Sequence, residues 1–499
     1  MIFNSYNFIL IFLPIAFIGF FSLSKIKKSY GVTWLGFISI FFYSYWSLYS
    51  LPILLISILL NFNIGKKIYT TSIKNKFNLL LVGIFLNLSL LSYFKYTNFF
   101  IDNINYVFSY YKIPVIGNLN IMLPIGISFF TFTQMAYLID TYYDKSRYYS
   151  FKNYLLFVTY FPHLVAGPII HHKQVMPQFK NNTTFKPDNK KITVGLIIFI
   201  VGLSKKVIIA DTIGLYVDKF YNNIGSNINP DFILSWVFSL SYTMQLYFDF
   251  SGYSDMAIGL SLLFGIFLPF NFNSPLQSLS IIDFWQRWHM SLTRFINQYL
   301  FNPLSLRMIR FSTGKNNLIE SFFSLILPIL ITFFLLGIWH GANWTFAIFG
   351  MMHAVLVIIN HLWRNRSFCT NINKNILTTK IYWLLTFLSV LFAFVIFRSE
   401  NVNTGIILYK GMLGLNGMEI TLPSIKLIMI LIFSMFLVLK TKSTYIIVHN
   451  FFDKKKLKNL SYRNKINNKI SFYSVLSGIL FFICLLQLST PTTFLYYQF

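Results

Sequence analysis

Two histidines occupy places in this chain where an apolar helix would ordinarily carry none. His340 stands between Ile338-Trp339 and Ala342-Asn343-Trp344, with apolar stretches of helix length on both sides. An ionisable group at membrane depth is costly enough to be a functional candidate by default. Burial there favours neutral imidazole, the form that accepts a proton. The plain alternative is a core histidine donating to a carbonyl. His289 lies in Asp283-Phe-Trp-Gln-Arg-Trp-His289-Met-Ser-Leu-Thr-Arg-Phe-Ile296, which reads as one helix with Asp283 as its cap. Helical spacing puts Trp285, His289, Leu292 and Ile296 on one stripe and Arg287, Ser291, Arg294 and Gln298 on another. Arg287 and Arg294 are then candidates for meeting lipid phosphates or a phosphorylated cosubstrate, and an ordinary amphipathic helix at the membrane interface is the alternative. His163, His171 and His172 form a third group. No Asp, Glu or Cys stands at ligand spacing beside them in the sequence, so no metal is expected. The two cysteines, Cys369 and Cys484, are too far apart to indicate a CxxC site.

The elements that must hold these residues are membrane helices. Of the 499 residues, 56% are hydrophobic, 20% aromatic and only 11% charged. Soluble domains carry about 25% charged residues, so nucleic-acid-binding and cytosolic enzyme readings are excluded despite a formal charge of +27. The positive charge falls in short runs between apolar stretches: Lys66, Lys67, Lys74 and Lys76; Arg364, Arg366, Lys374 and Lys380; and nine basic residues against one acid from Lys440 to Lys469. Cytoplasmic loops of multi-pass proteins have this character.

Apolar segments run near 7–24, 32–64 (two), 77–94, 97–111, 192–215, 231–250, 318–338, 344–363, 381–397, 423–439 and 471–489. At about 20 residues per crossing they predict an all-α polytopic membrane protein with roughly eleven to twelve transmembrane helices. The first stretch has no basic residue before it and no clear cleavage site after it, so it reads as a span and not a signal peptide. Stretches 119–139, 154–170 and 252–272 are broken by Pro124, Pro162, Gly167, Pro168 and Pro269. Broken backbone at membrane depth needs protein or a cavity to cover it, which predicts re-entrant segments around a central tunnel. The layout expected is a single membrane domain over 1–499, with N-terminal helices to 118, a core at 119–363, C-terminal helices at 364–489 and a tail at 490–499. If the basic loops 364–380 and 440–469 are cytoplasmic, segment 398–422 faces outward and the final helix leaves the tail on the outer face.

Several long motifs occur in order: Met122-Leu-Pro-Ile-Gly-Ile-Ser-Phe-Phe-Thr131, Phe161-Pro-His-Leu-Val-Ala-Gly-Pro168, Tyr247-Phe-Asp249-Phe-Ser-Gly252-Tyr-Ser-Asp255-Met-Ala-Ile-Gly259, Asn271-Phe-Asn273-Ser-Pro275, Asp283 to Leu292, and Gly337-Ile-Trp-His340-Gly-Ala-Asn343-Trp-Thr-Phe346. Together they resemble the membrane-bound O-acyltransferase (MBOAT) family, densely over about residues 120–360 and through helical layout outside it. The likeness is greatest to the bacterial branch of alginate and peptidoglycan O-acetylation subunits, with the D-alanyl transferase of teichoic acid assembly more distant. The resemblance implies an MBOAT fold and an acyl thioester, here acetyl-CoA as cosubstrate, entering from the cytoplasm and losing its acyl group to the other side. It places the family's near-invariant histidine at His340 and a second conserved position, His or Asn, at His289. Asp249, Asp255 and Asn343 belong to the same motifs and read as structural.

The ending Phe494-Leu-Tyr496-Tyr497-Gln-Phe499 resembles the F-x-Y-x-x-F motif of related acyl-transfer systems, in which the tyrosine accepts the acyl group. The alternative is an aromatic belt, in a chain with 31 Tyr and 58 Phe. A tyrosine hydroxyl, with a pKa of about 10, needs a base, and no Gly-x-Ser-x-Gly elbow offers another nucleophile. The resemblance makes His340, His289 and Tyr496 the expected catalytic residues, and Arg287 and Arg294 are the expected cosubstrate contacts. The partners implied are the lipid bilayer, a periplasmic SGNH-type O-acetyltransferase and a cell-envelope polysaccharide, with no nucleic acid. Peptidoglycan leads, and alginate or another exopolysaccharide is the alternative. The location implied is the bacterial inner membrane, with the C-terminus periplasmic. A transporter or channel would also carry broken helices and buried polar groups, and a membrane scaffold for a separate acetylase is a third reading.

Overall fold

The computed structural model describes residues 2–71, 73–143, 149–225, 228–314, 316–364, 375–419, 421–453, 460–488 and 494–495. Among these residues the fold is helical throughout, with no strand and one isolated bridge between Ile224 and Ile228. Eight helices are long and apolar enough to cross a membrane: Asn7–Ile26, Ser50–Thr70, Asn75–Tyr110, Asn189–Tyr221, Asn317–His340, Trp344–Arg364, Ile376–Arg398 and Ile466–Gln487. Helices Lys28–Trp46, Phe232–Leu263 and Ile425–Lys440 fill the other expected segments. The last span shows why lipid is the solvent. Phe472, Val475, Ile479, Phe482 and Leu486 leave an exposed apolar stripe at helical spacing, while Ser477 and Cys484 turn inward.

Two expected boundaries move. Segments 77–94 and 97–111 are one helix, Ile73–Tyr110. The polar residues Lys95, Thr97 and Asn98 lower the hydropathy there, but no glycine or proline breaks the backbone. Phe232–Leu263 likewise runs unbroken through Gly252. That glycine serves close packing: a Cβ on it would stand 2.7 Å from the Gly202 carbonyl oxygen. The interruption expected from residue 252 starts instead at Phe264, where Gly265 takes a left-handed φ of 74°. Pro124, Pro162, Gly167, Pro168 and Pro269 all lie in non-helical backbone, and residues 160–170 are buried throughout, so protein covers the broken stretch.

The contacts divide the chain into two compact units. Among the described residues, one comprises those up to Val201, Tyr253–Pro269 and those from Ile470 to Leu495, and the other Gly202–Gly252 and Phe270–Lys469. The first unit is centred on packed phenylalanines, among them Phe8, Phe12, Phe42 and Phe161, with ring centroids 5.4–6.2 Å apart.

The second unit holds the hairpin that carries His340. Leu327–His340 turns through Gly341-Ala-Asn343 into Trp344–Arg364, which in turn packs on Ile376–Arg398. The first two helices approach backbone to backbone at Gly337 and Gly350. A Cβ on Gly337 would lie 2.3 Å from the Phe346 carbonyl oxygen, and one on Gly350 2.2 Å from that of Phe333. Asn343 starts the second helix by accepting the Thr345 N–H (3.1 Å), and its amide donates to the Glu400 carbonyl (2.8 Å). Both bonds are ones that a structural Asn343 would make. Asp249 is paired with a buried cation. It shares the buried Lys206 ammonium with Asp211, each at 2.6 Å, an ion cluster that the sequence reading did not anticipate.

Candidate active site

His340 is the last residue of its helix and is buried, with Trp339, Phe397 and Phe349 ring centroids at 4.9, 5.3 and 6.0 Å. Gly341 follows in extended backbone and leaves no room for a side chain, since a Cβ would stand 2.1 Å from the Phe346 ring. The imidazole thus closes a helix against an aromatic wall, and the glycine contacts between the two helices set its height.

His289 is held differently from the expectation. No single helix covers 283–296. Ile281–Arg287 ends, Trp288 is extended, His289 takes a left-handed conformation (φ 44°, ψ 51°), and Met290–Ile296 begins. A non-glycine residue in that region carries strain of about 1–3 kcal/mol, and such strain clusters at functional sites. The neighbouring motif fixes the turn. The Met290 N–H donates to the Asn271 carbonyl (2.9 Å), the Ser291 hydroxyl to Asn271 Oδ1 (2.6 Å), and the Asn273 N–H to the Arg287 carbonyl (3.0 Å). Burial pushes the His289 imidazole down to about 3, so the ring is neutral at physiological pH. Its ring meets Phe250 edge-on at 4.7 Å and Trp339 at 6.5 Å. Trp339 therefore touches both candidate histidines.

The break also corrects the stripes and the cap. Ser280 caps Ile281–Arg287 by accepting the Asp283 N–H (3.1 Å), while Asp283 sits in the first turn and accepts the Leu279 N–H (3.3 Å). Arg287 Nε donates to Asp283 Oδ1 at 2.8 Å. Arg294 is exposed on the next helix. The structure thus places the two arginines on different helices, not along one helical stripe.

The third histidine group separates. His163 Nε2 bonds the Phe157 carbonyl (2.8 Å), a satisfied core histidine whose burial pushes it down to about 4. His171 and His172 meet a carboxylate that linear spacing could not reveal: Asp140, from helix Ile127–Tyr143. Its Oδ2 lies 2.6 Å from His171 Nε2 and 3.4 Å from His172 Nδ1. The absence of a nearby acid, on which the expectation of no metal rested, is therefore incorrect, since ligand atoms of all three residues lie within 4.8 Å of one another. His171 Nδ1 accepts the Lys173 N–H (3.2 Å), which leaves the neutral ring's proton on Nε2, facing Asp140. A metal at that nitrogen would need Nδ1 to carry the proton instead.

Tyr496 lies outside the described residues. Phe494, two positions before it, is buried and stacks on Tyr253 at 4.6 Å.

Sequence reasoning missed His353. It sits midway along Trp344–Arg364, fully buried, with Trp285 Nε1 donating to its Nδ1 at 3.2 Å. An ionisable group within an apolar span was the available signal. Two cavities flank helix Ile281–Arg287. A cleft of about 680 Å³ is lined by Ser280, Asp283, Gln286, Asn360, Arg364 and Tyr382 among others. A smaller one of about 190 Å³ is lined by Trp285, Phe333, Thr332 and His361 among others. Neither lining includes His340, but Trp285 and Phe333 both touch His353.

An imidazole buried against aromatic rings at a glycine-set helix end, and a second, neutral one on a strained turn beside the same tryptophan, can take a proton from a hydroxyl. The profile described as "MBOAT, membrane-bound O-acyltransferase family" matches residues 37–401. The chain belongs to the membrane-bound O-acyltransferase family. It is therefore a multi-pass membrane enzyme that transfers acyl groups to oxygen. The chain is 39% identical to the peptidoglycan O-acetyltransferase of Helicobacter pylori, over 84% of this chain and 81% of that protein. It is 36% identical to the "Probable alginate O-acetylase AlgI" of Pseudomonas aeruginosa, over 83% and 75%. The teichoic acid D-alanyltransferase of Bacillus subtilis is 29% identical over 56% of this chain and 70% of its own length.

Proposed function

We propose that this O-acyltransferase takes an acetyl group from cytoplasmic acetyl-CoA and exports it across the inner membrane for O-acetylation of a cell-envelope polysaccharide, peptidoglycan first. The observation that carries the reading is the arrangement of His340 and His289 about Trp339, on motifs that the family profile covers. The name of the Helicobacter relative supports peptidoglycan, and the Pseudomonas relatives keep alginate or another exopolysaccharide as the second reading.

In the proposed step, His340 removes the proton of the Tyr496 hydroxyl as its oxygen attacks the thioester carbonyl. The new C–O bond forms, the C–S bond breaks, and the proton passes from imidazole to the departing thiolate, giving acetyl-tyrosine and free CoA. General base assistance of this kind is worth about 10²–10⁴-fold. His289 orients the thioester or stabilises the developing negative charge, and Arg287 and Arg294 contact the cosubstrate's phosphates. The acetyl group then moves to a periplasmic SGNH-type transferase and on to a sugar hydroxyl. The basic runs 364–380 and 440–469, read as cytoplasmic, support an outward-facing tail.

The test is made in cells. Base-labile acetate is measured on purified peptidoglycan and on secreted polysaccharide, from a strain lacking this chain and from the same strain complemented with wild type or His340→Ala. Loss from peptidoglycan, restored by wild type only, supports the reading. Loss confined to the secreted polymer moves it to the second reading, and unchanged acetate on both rejects it.

A further inference from the structure

His353 is packed among four aromatic rings. Its ring lies between Phe284 (6.2 Å, interplanar 7°) and Phe333 (6.4 Å, 20°), and meets Trp285 and Phe349 edge-on at 5.1 and 4.7 Å. Nδ1 accepts the Trp285 indole N–H, which fixes the neutral tautomer with its proton on Nε2. Nε2 is buried and has no hydrogen-bond partner among the described residues. Leaving such a donor unsatisfied destabilises the fold. A phenylalanine would fill the same aromatic cage without that cost, so simple packing does not account for the imidazole.

What the imidazole does alone is accept from Trp285, and that bond joins two elements that matter. Trp285 belongs to Ile281–Arg287, the helix that ends at the strained turn carrying His289. Phe284, stacked on His353, also stacks on Trp288 (5.5 Å), the residue next to His289. On the other side Phe349 touches both His353 and His340. His353 is thus one ring removed from His340 and one helix end removed from His289, and it ties the helix of one to the helix hairpin of the other.

We propose that His353 is a positioning residue for acyl transfer: through the Trp285 hydrogen bond and the Phe349 contact it sets His289 and His340 relative to each other. The inference rests on His340 acting as the base, as proposed above. It requires the bond and not merely the bulk. Misplacement of a reacting group by about 1 Å costs on the order of 100-fold in rate.

The experiment follows the single turnover of CoA release from acetyl-CoA by the purified full-length chain in nanodiscs, taking kcat as the limiting first-order rate constant and KM as the half-saturating acetyl-CoA concentration, with His340→Ala as control. His353→Leu and Trp285→Phe are each expected to lower kcat by about 10–100-fold with KM for acetyl-CoA within about twofold. The double variant should be no slower than the slower single variant, because both remove one bond. His353→Asn, whose amide oxygen can accept the indole N–H, should recover most of the rate. If His353→Leu does not fold, Trp285→Phe and His353→Asn still decide the matter. Wild-type kcat in Trp285→Phe, losses that multiply in the double variant, or no recovery in His353→Asn overturns the proposal. A wild-type rate in His340→Ala defeats the base assignment instead, whatever the His353 variants do.

Discussion

Gly337→Ala is a one-methyl test of how the fold sets the base. The added Cβ would stand 2.3 Å from the Phe346 carbonyl oxygen and 3.2 Å from Gly350 Cα. Ordinary contact begins at 3.4 Å, so the two helices must part by about 1.1 Å at this level, less whatever the backbone absorbs by tilting. Neither atom can rotate away, because both are backbone. His340 lies three residues further along the same helix, just before the turn, so the displacement reaches the imidazole nearly undiminished. At about 100-fold per Å of misplacement, thioester turnover should fall by one to two orders of magnitude. Overpacking of this size costs about 1–3 kcal/mol, so the protein should remain folded. The assay pairs thiol release from acetyl-CoA with a thermal melt in detergent. Wild-type turnover in a folded Gly337→Ala protein would refute the claim that this contact fixes the histidine. Gly478→Ala, where the added Cβ meets nothing within 4 Å, serves as the neutral control.

Lys206→Met should lower stability by about 3–5 kcal/mol, because it leaves the buried Asp249 and the half-buried Asp211 without their shared cation; a melting temperature unchanged from wild type would contradict this. Burial lowers the folded-state values of His289 and His163 to about 3 and about 4, below the unfolded value of about 6.5. The unfolded chain therefore binds more protons between pH 4 and 6.5. Stability should rise with pH across that window by about 1.4 kcal/mol per unit for each group and flatten above it, and His163→Gln should reduce the slope in melts at fixed ionic strength. For the Asp140 cluster, titration with Zn²⁺ monitored by calorimetry should show no tight binding that Asp140→Asn removes, because the His171 proton faces the carboxylate.

Much of this arrangement was legible in the sequence, and the parts that were not share a cause. Membrane helices were readable because each apolar run must satisfy its backbone internally. His340 was readable because a single imidazole interrupted two such runs. The helix across 283–296 was misread because periodicity cannot register one left-handed residue: Trp285, Leu292 and Ile296 keep an apolar pattern on both sides of the break. The Asn271 bonds that stabilise the break come from 20 residues away in sequence. Asp140 beside His171 and Lys206 beside Asp249 are likewise long-range pairs, and spacing along the chain carries no sign of them. His353 was overlooked for the opposite reason. Its neighbours in sequence look like any span, and only Phe284, Trp285 and Phe333, brought in by folding, distinguish it.

The most direct measurement is intact-mass analysis of the purified full-length chain after incubation with acetyl-CoA, with released CoA quantified in the same sample. Wild type should gain one acetyl mass and release CoA. His340→Ala should do neither, and Tyr496→Phe should not gain the adduct. Undiminished CoA release and acetylation by a folded His340→Ala protein would contradict the claim that a buried imidazole starts the transfer.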